Sequence, residues 1–231
     1  MNREQKKSKV RKDDLMNRKQ KKTNGGEAAD LEPRSIPKQR RSKETVKKIL
    51  DTTAKLLEEV GIDGFNTNLL AKRTGIRIRT VYRYFPNKFA VITALAERWA
   101  DMELEWLGDY KDFYDTTLTW REAHNRLLDG YISGCRKQPG AVALRRAMMA
   151  VPELRKIKLE ANQQMAQKYC GALKKHGLCL PEKHAMVLSI AIITCCAAIW
   201  DLALQEGNDY FDELIEENKL FWLNHLATYL D

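Results

Sequence analysis

From residue 42 onward, apolar side chains recur at intervals of three and four. Val46, Ile49, Leu50, Leu56, Leu57 and Val60, with Thr53 among them, form one apolar face of a first helix. Ser42 is a suitable N-cap for it, and Gly61 a suitable stop. The pattern then predicts a short helix over residues 67–74, capped by Asn66, with Leu70 and Ala71 facing inward. Gly75 ends that helix and Ile76 plugs the turn. A third helix begins near Arg77 and stops before Pro86, because proline disfavours helical geometry in the residue preceding it. A fourth starts after the cap Asn87 and runs past Trp99 to about Leu107. Further helices are predicted over residues 117–137, 139–151, 152–176, 181–206 and 212–230, with Gly177 and Gly207 as stops. No stretch alternates with the period of a strand. The expected fold is all-α, with about nine helices.

The charge divides along the same line. Residues 1–99 hold 25 Lys+Arg against 12 Asp+Glu, and residues 100–231 hold 15 against 19. Residues 1–41 are charged and almost free of large apolar side chains, which predicts a disordered basic tail. The stretch PRSIPKQRRSK within 33–43 can lie along phosphates or in a minor groove, or be a solvated tail with only nonspecific attraction. The tail does not account for the whole bias, since residues 44–99 still carry 10 cations against 6 anions. The expected organisation is therefore a tail (1–41), a basic helix-turn-helix domain (42–98) and a larger helical domain (99–231).

Several classes find no support. The one long apolar run, Ala185 to Trp200, is shorter than the roughly 20 residues of a membrane span and is interrupted by Ser189 and Thr194, so a buried core helix is expected. Five cysteines in apolar or helical segments suggest reduced thiols in a cytoplasmic protein, with Cys135, Cys170 and Cys179 as conceivable redox sensors. Cys170, His176, Cys179 and His184 lie close together, but their spacing matches no common zinc pattern, and no metal or cofactor is expected. No nucleophile elbow, zincin, P-loop or dinucleotide fingerprint is present.

The stretch TGIRIRTVYRYFPNK, residues 74–88, carries the chemistry. A helix N-terminus disfavours cations, yet Arg77 and Arg79 begin the third helix and Lys88 the fourth. An arriving phosphate satisfies the open N–H groups, the dipole and the side chain together, and arginine also reads guanine edges. In this geometry Arg77, Ile78 and Arg79 sit at base depth, Ile78 against a thymine methyl. Thr80, Tyr82, Tyr84 and Lys88 serve phosphates, Thr67 does so from the start of the helix before, and Val81 and Phe85 hold the helix to the core.

Residues 49–95 resemble the DNA-binding domain of the tetracycline-repressor (TetR) family. The matching features are Gly61-x-x-Gly64-Phe65, Thr67, Leu70-Ala71, Gly75-Ile76, Thr80-Val-Tyr-Arg-Tyr-Phe85 and Asn87-Lys88. The resemblance implies a homodimeric regulator, usually a repressor, that leaves a palindromic operator on double-stranded DNA when a small molecule binds. It places the family's DNA contacts on Thr67, Asn68, Arg77, Ile78, Arg79, Thr80, Tyr82, Tyr84 and Lys88. Where the family often has serine, this chain has Arg77; where it often has a small residue or proline, Arg79; and where it often has glutamate, Phe89. A nonspecific or architectural helix-turn-helix protein without an inducer remains the alternative.

In such regulators the last two long helices pair between subunits, a role expected here for residues 181–206 and 212–230. A ligand cavity is expected among helices four to eight. Its candidate lining is Trp99, Met102, Trp106, Tyr110, Trp120, Tyr131, Met148, Met149, Met165, Cys196 and Trp200, aromatic and thioether groups that suit an adaptable apolar site. Arg145 and Arg146 are expected as a solvated pair, with an acidic ligand as the other reading.

Overall fold

The helix-turn-helix is built by local signals that each do one job. In the computed structural model, which describes residues 31–35, 37, 39–203 and 209–231, α1 spans Arg40–Gly64, α2 Thr67–Thr74, α3 Ile78–Tyr84 and α4 Lys88–Asp109. Asn66 caps α2 by accepting from the Leu69 N–H at 2.9 Å, and Asn87 caps α4 through the Ala90 N–H at 2.9 Å. Each such cap contributes about 1 kcal/mol. Gly75 ends α2 at φ 69°, left-handed backbone that turns the chain directly into α3. Gly61, at φ 65°, breaks the helical path inside α1. The expected Ser42 cap is corrected. The helix starts three residues earlier, at Arg40, Gln39 holds the cap position without a side-chain bond, and Ser42 lies inside the first turn.

The rest of the chain forms α5 (Lys111–Tyr114), α6 (Trp120–Lys137), α7 (Ala141–Ala150), α8 (Pro152–Lys175), α9 (Glu182–Ala203) and α10 (Phe211–Leu230). The described residues therefore hold ten helices and no strand, against nine expected. The extra one, α5, has four residues, too few to show a period. Thr119 and Glu122 form a reciprocal capping box at the start of α6. Pro152 sits at the first position of α8, where its missing N–H costs nothing.

Two apolar clusters organise these helices. The first joins Ile49, Leu56 and Leu57 of α1 to Leu70, Val81, Phe85 and Ile92, and continues into Ala141, Leu144 and Met148 of α7. Fully burying each larger aliphatic or aromatic side chain contributes about 1.5–3 kcal/mol. The second collects Leu107, Phe113, Trp120, Tyr169, Ile192, Trp200 and Trp222 from α4 to α10. Helix α4 runs through both, with Val91 to Trp99 in the first and Leu107 in the second. The loop before α7 packs closely against α1. Gly140 has φ 73°, and a Cβ there would fall 2.2 Å from the Ala54 carbonyl oxygen of α1. No side chain fits that approach.

Helix α9 is 22 residues long, enough by length and composition to cross a membrane, so the expected sixteen-residue limit does not hold. Leu188, Ser189, Ile192, Cys196 and Trp200 are nonetheless buried against its neighbours, as in a core helix. The tail expected at residues 1–41 lies mostly outside the described residues. Within them, Arg40 and Arg41 belong to α1, and the Arg34 N–H donates to the Tyr84 carbonyl at the end of α3.

Candidate nucleic-acid interface and C-terminal cavities

Helix α3 is held from behind and open in front. Val81 and Phe85 are fully buried, as their spacing predicts. Arg77, at the N-cap position, and Arg79, in the first turn, are exposed, and neither side chain has an ion-pair or hydrogen-bond partner among the described residues. Both cations stand at the positive end of the helix dipole, a placement that slightly disfavours the isolated helix. Asn68 is exposed on α2. Tyr82 is 40 % exposed, and its hydroxyl lies 3.0 Å from Thr67 Oγ1, so two expected phosphate ligands from successive helices already form one polar unit. Thr80 is half-buried. Lys88 donates to the Ile62 carbonyl at 3.3 Å, and its ammonium lies over the Phe89 ring, keeping it at the start of α4.

Two expected contacts change character. Tyr84 is only 2 % exposed, and its hydroxyl bonds to Arg83 and Ser42, which lower its pKa. It belongs to the core and presents no hydroxyl for a phosphate. The spacing 81, 84, 85 carried that signal, because these positions share a helical face. Ile78 is half-buried and packs on the first cluster, leaving part of its side chain for a base methyl.

The expected ligand lining divides into several places. Trp106, Tyr131, Met165, Cys196 and Trp200 do converge, around an inner cavity of about 40 Å³ also bounded by Tyr169 and Asn162. Tyr110 packs against the Trp106 ring and donates to the Arg126 carbonyl, beside that cavity. Trp99 and Met148 belong instead to the first apolar cluster. Trp120 packs in the second, with its indole N–H on Asp231. Met102 is exposed at 41 %. Met149 lines a separate outer groove of about 910 Å³ between α7, α8 and α9.

The expected solvated pair Arg145–Arg146 is half wrong. Arg146 is exposed, but Arg145 is 6 % exposed. Arg145 bonds Asp201 at 3.1 Å, Glu103 at 3.2 Å and the Tyr131 hydroxyl, while Lys158 pairs with the other oxygen of Asp201. Burial opposes the charge on Arg145, yet Tyr131, Glu103, Cys135 and Asp201 around it outweigh this and hold its pKa well above the usual arginine value. Burial also pushes the Tyr131 hydroxyl up and the Cys135 thiol up. The cluster thus joins α4, α6, α7, α8 and α9. Sequence alone missed it, although Glu103 and Asp201 stand on the inward period of their helices beside Trp99 and Trp200.

Elsewhere in the second cluster, His124 is wholly buried with Nδ1 2.7 Å from the Tyr169 hydroxyl and Nε2 unpartnered. Burial, then Lys219, lowers its pKa to about 4. Cys196 is raised to about 11, chiefly by burial, so it is a thiol and not a reactive thiolate. Cys135 and Cys170 are buried and Cys179 is exposed. Among the described residues no His, Cys, Asp and Glu side chains gather to hold a metal.

Known proteins resemble this chain in sequence and in fold. Residues 49–95 match the family model of bacterial regulatory proteins of the tetR family, and residues 118–230 match the tetracyclin repressor-like C-terminal domain. The class D tetracycline repressor of Escherichia coli is 35 % identical over 88 residues, 36 % of this chain and 40 % of that protein. The class A repressor from transposon 1721 is 50 % identical over 42 residues, 18 % and 19 % of the two chains. The alignments thus span less than half of these relatives' lengths. Solved structures extend the likeness to the whole fold. A TetR-family regulator from Streptomyces coelicolor superposes with TM-score 0.62 at 25 % identity, over 80 % of this chain and 99 % of that one. A putative TetR-family regulator from Mesorhizobium loti gives TM-score 0.68 at 15 % identity, over 84 % and 100 %. The chain belongs to the TetR family of transcriptional regulators, a family of DNA-binding proteins and not of enzymes.

Proposed function

We propose that the protein is a homodimeric repressor that reads a palindromic operator with α3 and releases it when a small molecule occupies its C-terminal domain. The observation that carries this reading is the pair Arg77 and Arg79, exposed at the start of α3 and lacking any partner among the described residues. Such a pair weakens the isolated helix slightly and gains its partners from guanine edges and phosphates. Thr67, Asn68, Thr80, Tyr82 and Lys88 position it on the backbone. Exposed apolar side chains on the last two helices support the dimer: Val187 and Ile190 on α9, Leu220 and Phe221 on α10. A protein surface rarely leaves such helices bare. The outer groove supplies room for a ligand.

Footprinting on the region upstream of the protein's own gene tests the reading. A protected palindrome, relieved by a compound found in a thermal-shift screen of metabolites and drugs, supports it. Uniform weak protection supports the architectural alternative. Gel filtration at micromolar concentration tests the dimer, which a clean monomer contradicts.

A further inference from the structure

The outer groove is unusual in the combination it presents. Its floor is aliphatic, with Val142, Met149, Leu159, Ala198 and Leu202, and none of its lining residues carries an aromatic ring. Among the described residues its wall carries four cations, Arg145, Arg146, Arg155 and Lys158, against a single carboxylate, Asp201. Arg145 and Lys158 are already committed to Asp201 and Glu103. Arg146 and Arg155 are not: both are exposed, and neither has a carboxylate partner among the described residues. The Arg155 guanidinium donates from Nη2 to the Met149 carbonyl at 2.8 Å, which fixes its head at the groove's edge. The groove's volume, about 910 Å³, lies within the roughly 300–1,000 Å³ of small-molecule sites. Asn162 and Ala197 border both this groove and the inner cavity, so the two spaces meet at one wall.

We propose that the ligand of this groove is a single-chain aliphatic carboxylate, its head on Arg146 and Arg155 and its chain along the apolar floor toward the wall formed by Asn162 and Ala197. The proposal rests on the ligand-responsive reading above and names its ligand class. A flat aromatic compound finds no ring to stack on here, and a cation meets like charge. The planar guanidinium forks of Arg146 and Arg155 match a carboxylate. The site also explains how occupancy reaches the DNA-binding helices. Lys158 and Asp201 belong both to the groove and to the cluster that holds Glu103 of α4. Asp201 on the groove wall pairs with Arg145, which also holds Glu103, so a ligand that shifts this wall alters the hold on α4, the helix that runs into the first cluster.

Calorimetric titration of the full chain with dodecanoate, dodecanol and dodecylamine, each below its aggregation concentration, tests this. Dodecanoate binding about tenfold or more tighter than dodecanol, with dodecylamine weakest, is the expected result. The double variant Arg146→Ala/Arg155→Ala lowers dodecanoate affinity to that of dodecanol and leaves dodecanol unchanged. Equal affinity for acid and alcohol, preference for the amine, or no binding of any of the three overturns the proposal. In the last case, a thermal-shift hit of another chemical class leaves the ligand-responsive reading standing, whereas a screen with no hit removes both. Leu159→Asp separates the proposal from a groove covered by a second copy of the chain. Weaker dodecanoate binding by an intact dimer supports the ligand, and dissociation into monomers overturns it.

Discussion

Arg77 and Arg79 on α3 and Arg145 on α7 place one residue type in opposite settings. The side chains of the first two are exposed and without ion-pair or hydrogen-bond partners among the described residues. Arg145 is buried, with Glu103, Asp201 and Tyr131 on its guanidinium and the Trp99 ring 5.5 Å away. An exposed cation at a helix start contributes little to folding and is available to a second molecule. A buried cation among carboxylates is committed, and removing it leaves those carboxylates uncompensated. In this protein, position in the fold decides what an arginine does.

The sharpest way to break the contrast is to delete each kind of arginine and measure stability. Arg145→Ala leaves Glu103 without its cation and is expected to cost about 3–5 kcal/mol in urea unfolding. Arg79→Ala in the same measurement stays within about 0.5 kcal/mol of wild type. Similar losses for both would erase the distinction.

A buried base extends the comparison to pH. His124 is neutral in the folded protein, with its pKa lowered from 6.5 to about 4, so the unfolded chain binds the extra proton first. Its contribution is complete above pH 6.5 and is lost as pH falls from there toward about 4, amounting to about 3 kcal/mol. Unfolding curves across that window measure it, and His124→Gln flattens the slope.

On the DNA side the effects are smaller and appear only with DNA present. Arg79→Ala is expected to lower specific affinity by about 1–3 kcal/mol and relax one base position. Lys88→Ala weakens binding to every sequence alike and flattens the salt dependence by about one unit, as loss of one phosphate contact does. Base-substitution panels check the first, and titrations across a salt series the second.

The contrast also marks what was legible in the sequence. Asn66, Gly75, Pro86 and Asn87 act through the chain within four residues of themselves, so α2, α3 and the start of α4 were readable almost to the residue. The open arginines of α3 were readable for the same reason. Arg145 was not, because its partners Glu103 and Asp201 lie 42 and 56 residues away in the chain. The ligand lining was partly readable. Trp106, Tyr131, Met165, Cys196 and Trp200 meet because their helices cross at one level, while Trp99 and Met148 face the other cluster, a difference no local pattern encodes. Tyr84 was misplaced for another reason: its hydroxyl suggested a polar role, but its helical face decided its burial.

The most direct measurement is fluorescence anisotropy with DNA from upstream of the protein's own gene and with a scrambled copy, for wild type and for Arg77→Ala/Arg79→Ala. The account predicts that wild type prefers the upstream sequence strongly, and that the double variant loses most of that preference while unfolding at the same urea concentration. A variant that keeps the wild-type preference would contradict it, and α3 would not be the element that reads DNA.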